Sequence, residues 1–392
     1  YLIKVSATVG SVIGSFMSVL LISVFVLTLS CILGWVVAKI SLKLKNKSFI
    51  TVVISLAFFA IYYFFCFRAQ TIISDFVANA VTYGEKIKGA AYPIYLFGCV
   101  ALGNGKAMAV VTAVVLALFG VMWLLLGRSF LKIATSSGKT ERRMYRETRT
   151  QRKSIGAALL GKEFARFLSS PNYMLNCGLG VLLLPISGIV LLIKGHDLMP
   201  MLAMIFDNQP GSAAVLLCTA VCVVASMNDM AAPSISLEGK NLWLLQSLPV
   251  KPWQALRAKL SVQLLLTSIP ALFASACAAI AGGLSAVETL LTLLVPQAVI
   301  LMMALLNLTV GLKMPNLTWT SEIVPIKQSA SVMIGLLGGM IYGILPIAGF
   351  LMFGHRMGAN AYMACFMALT LAISAGLYVW LKKKGGAAFA AL

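Results

Sequence analysis

Negative charge is what this chain has least of. Of 392 residues, 11 are Asp or Glu and 2 are His. Metal centres, paired-carboxylate catalysis and imidazole acid–base chemistry need such residues in clusters. The sequence offers no HExxH, no GxSxG and no close carboxylate pair within an apolar segment. His196 and His355 fall in predicted outer loops and read as ordinary surface. Charged residues of both signs make up 11%, against roughly 25% in a soluble domain. With 60% hydrophobic residues and a mean hydropathy of +0.96, the chain cannot cover itself with polar surface. It reads as an all-α, polytopic membrane protein.

Other absences narrow the function. The eight cysteines stand in apolar surroundings without a CxxC, so neither a disulfide framework nor a zinc site is expected. Ser137-Gly138-Lys139-Thr140 imitates the end of a phosphate-binding loop, but Ile133 stands where that loop needs glycine. ATP, if used, must bind another polypeptide. The acidic residues all fall in loops or at span edges, Asp229 and Glu288 nearest to membrane depth, which counts against an ion-driven transporter. The net charge of +20 would suit a polyanion, yet basic residues crowd the cytoplasmic loops of membrane proteins, so nucleic acid is not the expected partner. Tyr1 leads almost at once into an apolar run without the pattern of a signal peptide, and the chain reads as lacking its natural N-terminus.

A bilayer core is crossed by about 20 apolar helical residues. Nine predicted spans meet that length: about 16–38, 49–67, 107–127, 171–193, 211–228, 260–281, 286–309, 331–353 and 359–381. Gly10 and Gly14 are expected to mark a break before the first. Loops on one side hold 24 Lys and Arg and those on the other hold 6, which places the first set, with the C-terminus, in the cytoplasm.

Between spans, Ile72, Ile73, Phe76, Val77, Ala80 and Val81 predict an amphipathic helix at the outer interface, followed by a short re-entrant or interfacial stretch broken by Pro93 and glycines. Residues 139–153 form a basic linker. Residues 154–168 predict an amphipathic helix at the inner interface, with Lys162, Glu163 and Arg166 opposite its apolar side. Gly335, Gly339 and Gly343 recur every fourth residue, a spacing that lets helices approach closely; a substrate-lining face is the alternative. Pro346 is expected to kink the same helix.

Three stretches carry a family resemblance. The first is Lys162-Glu163-Phe164, Arg166-Phe167 and Ser169-Ser170-Pro171, with Tyr173 and Asn176. The second runs from Ile235 through Glu238-Gly239-Lys240 and Trp243 to Val250, then on through Pro252 to Lys259. The third is Asn316-Leu317-Thr318-Trp319, Glu322 and Lys327-Gln328. In this order they resemble the permease subunits of bacterial type 2 ATP-binding-cassette (ABC) exporters. The resemblance implies residues 1–138 as the later part of a first transmembrane half, 139–153 as linker, and 154–392 as a second half. That second half would hold the interfacial helix, six spans and a coupling segment at 230–259.

The resemblance further implies alternating access in the cell membrane, driven by a separate ABC ATPase that carries the ATP; no cofactor is expected on this chain. Glu238 and Lys240 would bond the ATPase, and Trp243, Leu244 and Leu248 would anchor it. Trp243 equally suits headgroup anchoring, and Glu238 suits the start of a helix. Besides the lipid bilayer, a second permease chain is a further candidate partner. The competing reading is a passive or structural membrane protein, a scramblase or assembly scaffold without an ATPase.

Overall fold

The computed structural model describes residues 8–43, 47–78, 89, 92–135, 153–205 and 209–392. Among them the ordered elements are helical and no strand occurs. Contacts divide the chain into two compact units, Tyr1–Arg149 and Thr150–Leu392. The basic linker lies outside the described residues, apart from Lys153.

The first unit contains α1 (Val9–Lys43), α2 (Lys47–Ala78), α3 (Tyr92–Ala101) and α4 (Gly105–Thr135). α1 runs unbroken through Gly10 and Gly14, contrary to the expected break. These glycines instead let the turn after α3 sit against α1: a methyl on Gly14 would strike Val100 and Gly103. Gly103 turns the chain at φ 83°, and the Asn104 side chain caps α4 by accepting from Lys106 N–H at 3.1 Å. α3 and α4 thus form a short helical hairpin beside α1, around Leu21, Val100, Val111 and Val115. The predicted outer amphipathic helix is, as far as Ala78, the continuation of α2; its remainder falls outside the described residues.

The second unit opens with α5 (Ile155–Ser169), α6 (Pro171–Cys177), α7 (Leu179–Ile205) and α8 (Ser212–Ser226). A 3-10 turn (Ser236–Asn241) and α9 (Leu242–Gln246) follow. Then come α10 (Pro252–Gly282), α11 (Ala286–Lys313), α12 (Ile323–Lys327), α13 (Ala330–Met357), α14 (Ala359–Trp380) and α15 (Gly386–Ala390). α7 packs along α10, α11 lies between α10 and α14, and α13 rests on α8.

Among the described residues seven helices are long and apolar enough to cross a membrane, eight if a bent pair is counted as one span. Nine were expected from hydropathy, and two of them need correction. The span at 171–193 is α6 and α7 bent by 53° at Gly178. The span at 211–228 is α8 alone, and its 15 residues reach only about 22 Å, short of a hydrocarbon core of about 30 Å. The chain then runs irregularly from Met227 to Ile235, buried from Asn228 onward. A hydropathy window counts apolar residues and is blind to where the helix ends.

The glycine series of α13 faces α8 and α11. A methyl on Gly339 would lie 3.2 Å from Ser226 Cβ, and one on Gly343 3.2 Å from Val223 Cα. One on Gly335 would press on the Asn307 side chain. At these positions a side chain would force the helices apart.

Candidate functional site

The site assembles at the end of the second unit where α5, the segment 228–250 and the start of α10 meet. α5 begins at Ser154, whose hydroxyl caps the helix by accepting from Ala157 N–H at 3.3 Å. Its inward face carries Leu159, Glu163 and Phe167 and packs against α10. Glu163 was expected on a solvated face; it points into the protein. Ile155 and Leu168, expected on the apolar side, are exposed. The helix is amphipathic, but part of its charged side is the buried side.

What draws the charges inward is Lys259. It stands on α10 in register with Ala255, Leu256 and Gln263, all buried, and its own side chain is 0% exposed. A lone ammonium there would be prohibitively costly. Lys259 Nζ donates to Glu238 Oε1 at 2.7 Å, to Ser234 O at 2.9 Å and to Glu163 Oε1 at 3.0 Å. Glu238 also accepts from Lys162 Nζ and Arg166 Nη2, each at 2.7 Å. Three cations thus enclose two carboxylates. Burial alone would raise the Glu238 carboxyl; the Lys259 charge, with the bonds from Arg166 and Lys162, overcomes it and holds Glu238 well below the usual carboxylate range. Glu238 in turn raises Arg166 against the opposing effect of burial.

The third stretch closes over the same segment. Trp319 Nε1–H donates to Ser236 O at 2.6 Å, and Asn316 N–H to Ser236 Oγ at 3.0 Å. Gly239 sits at φ 55°, and a methyl there would stand 3.2 Å from the Trp319 ring. Ser170 Oγ donates to Glu322 Oε2 at 2.9 Å, and the Tyr173 hydroxyl to Met230 O at 2.6 Å. The three stretches singled out in the sequence therefore form one interlocked body.

A family model described as a membrane protein of 12 TMs matches residues 1–379. The chain belongs to that family. No curated protein and no solved structure matches it.

In this twelve-span-family protein the coupling-segment residues fall into two groups. Ile235 to Gly239 are buried, so Glu238 does not offer its carboxylate to a partner's surface; its bonds are internal. From Lys240 the segment emerges. α9 turns Leu242 and Leu245 inward and leaves Trp243 at 64%, Leu244 at 55% and, just beyond, Leu248 at 45% exposure. Gln246 Nε2–H donates to Phe389 O at 2.9 Å, which brings the C-terminal α15 to the same end of the unit. Among the described residues no three of His, Cys, Asp and Glu group as a metal site. The side chains of His196 and His355 lie outside the described residues.

Sequence reasoning missed Lys259 as the centre of the network, having counted it among loop charges. The signal was present: 255, 256, 259 and 263 share one helical face, and the other three are apolar or uncharged.

Proposed function

We propose that the chain is the membrane-spanning permease of an ATP-driven exporter, with a separate ABC ATPase docked on the exposed face of α9. The patch of Trp243, Leu244 and Leu248 beside Lys240 carries this reading. Such apolar side chains on a short polar-flanked helix are what a protein partner buries as its anchor. The ionic network fixes the turn beneath the patch to α5 and α10, so a push on α9 would pass to the spans as rigid-body movement. Glu238 is here a positioning residue, not a contact residue. The patch and the C-terminus would face the cytoplasm of a bacterial cell, and ATP would be held by the partner.

The test is gentle purification of the full-length protein from native membranes with identification of what co-purifies. A stoichiometric ABC ATPase, lost in Trp243→Ala/Leu248→Ala while the melting temperature stays unchanged, supports the reading. Absence of any ATPase overturns it and leaves the scramblase or scaffold reading.

A further inference from the structure

The segment Met227–Ile235 holds a second acidic group that the docking reading does not use. Irregular backbone shut away from water needs its polar groups paired or covered by protein. Here it is covered. α13 and α11 approach it at Gly335 and Gly311, and α7 approaches it at Gly180. Gln263 of α10 clasps it, donating to Asn228 O at 2.8 Å and accepting from Ala231 N–H at 2.9 Å. On the facing side α6 ends at the 53° bend, and the Cys177 carbonyl accepts from Asp229 N–H at 3.2 Å.

Within this cover Asp229 is 1% exposed and its Oδ1 has no hydrogen-bond partner. The adjacent Asn228 amide is equally buried, with neither polar atom bonded. The titratable groups that face Asp229 are Cys177 and Tyr173 of α6, both uncharged when protonated. Gln263 from α10 is neutral. Glu163 and Arg166 of α5 act on Tyr173 and not on Asp229. Lys259 is already committed to Glu163, Glu238 and Ser234. No described cation pairs with Asp229. A buried carboxylate without a counter-ion binds a proton instead.

We propose that Asp229 is a proton-binding site, occupied while segment 227–235 is closed between α6, α10 and α13 and emptied when that segment opens to water. Burial pushes the carboxyl up to about 7, with the neighbouring Cys177 thiol opposing. In water an aspartate releases its proton near pH 4. The closed form therefore holds the extra proton between those values. Across that window each unit rise in pH shifts the balance toward the open form by about tenfold, and the shift ends above the closed-form value. The site needs no ATPase, so its failure and that of the docking reading are separate.

Infrared difference spectra of the full-length protein in lipid nanodiscs, titrated from about pH 5 to about pH 9, test it. The expected result is a protonated-carboxyl carbonyl band that disappears as pH rises through about 7 and is absent in Asp229→Asn. A band unchanged by Asp229→Asn, or no protonated band at any pH, overturns the proposal. Should that variant fail to fold, the wild-type protein decides by itself. Reaction of Cys177 with a small membrane-permeant maleimide, divided by that of the equally buried Cys222, is expected to rise about tenfold between about pH 5 and about pH 6. A ratio flat across that interval overturns the proposal.

Discussion

Replacing Glu238 with Gln keeps the side chain's size and removes one of the two carboxylates that face Lys259. Lys162 and Arg166 keep partial access to water, at 37% and 25%, so losing their bonds changes stability little. Lys259 has no such relief. It retains Glu163 at 3.0 Å and Ser234 O at 2.9 Å, but three cations then share one carboxylate. Removing one partner of a buried ion pair costs about 3–5 kcal/mol, and the surviving bonds put Glu238→Gln near the lower figure. For a unit of this size that is a fall in Tm of roughly 6–12 °C.

Thermal unfolding in nanodiscs measures the fall. The double variant Glu238→Gln/Lys259→Met, which removes the stranded charge, is expected to recover most of it. The pH dependence has a fixed sign. The Glu238 carboxyl is depressed in the folded state, so its contribution is complete above the ordinary carboxylate value of about 4 and is lost as pH falls through the depressed one. Variant and wild type should therefore differ constantly from neutral pH down to about pH 4 and converge only in stronger acid. Melting of Glu238→Gln within about 2 °C of wild type at neutral pH would refute the network's role.

Gly239→Ala places a methyl at φ 55° against the Trp319 ring; a loss of about 1–2 kcal/mol and a shifted tryptophan emission are expected. Trp319→Phe leaves Ser236 O without its indole donor and should cost about 1–3 kcal/mol in the same melt. Gly343→Leu drives α13 off α8, and overpacking of about 1–3 kcal/mol should appear as a lowered Tm, whereas Lys240→Ala on the exposed rim should stay within about 0.5 kcal/mol of wild type.

Much of this unit was legible in advance, and the failures have physical causes. Segments such as 260–281 and 286–309 emerge within α10 and α11 because a run of about 20 apolar residues has one stable form in lipid. The stretch 211–228 is as apolar as these, but hydropathy cannot report that α8 stops at Ser226. The bend at Gly178 left a local trace only in the glycine itself. The glycine spacing of α13 announced close approach, yet nothing in it named α8 and α11 as the neighbours. Glu163 illustrates the deeper limit: its periodicity on α5 is unambiguous, but its side was assigned by the rule that charges face water.

The sequence by itself determined that this protein is helical and embedded in a membrane, and which three stretches differ from plain hydrophobic spans. Only the tertiary structure decided that those stretches interlock, that Glu238 turns inward while Trp243 turns out, and that Asp229 has no counter-ion among the described residues. The reason lies in range. Hydropathy and periodicity sum over one window of chain, whereas a buried charge is tolerated only if the fold delivers opposite charges to it. Glu238 meets Arg166 across 72 residues, and Lys259 meets Glu163 across 96.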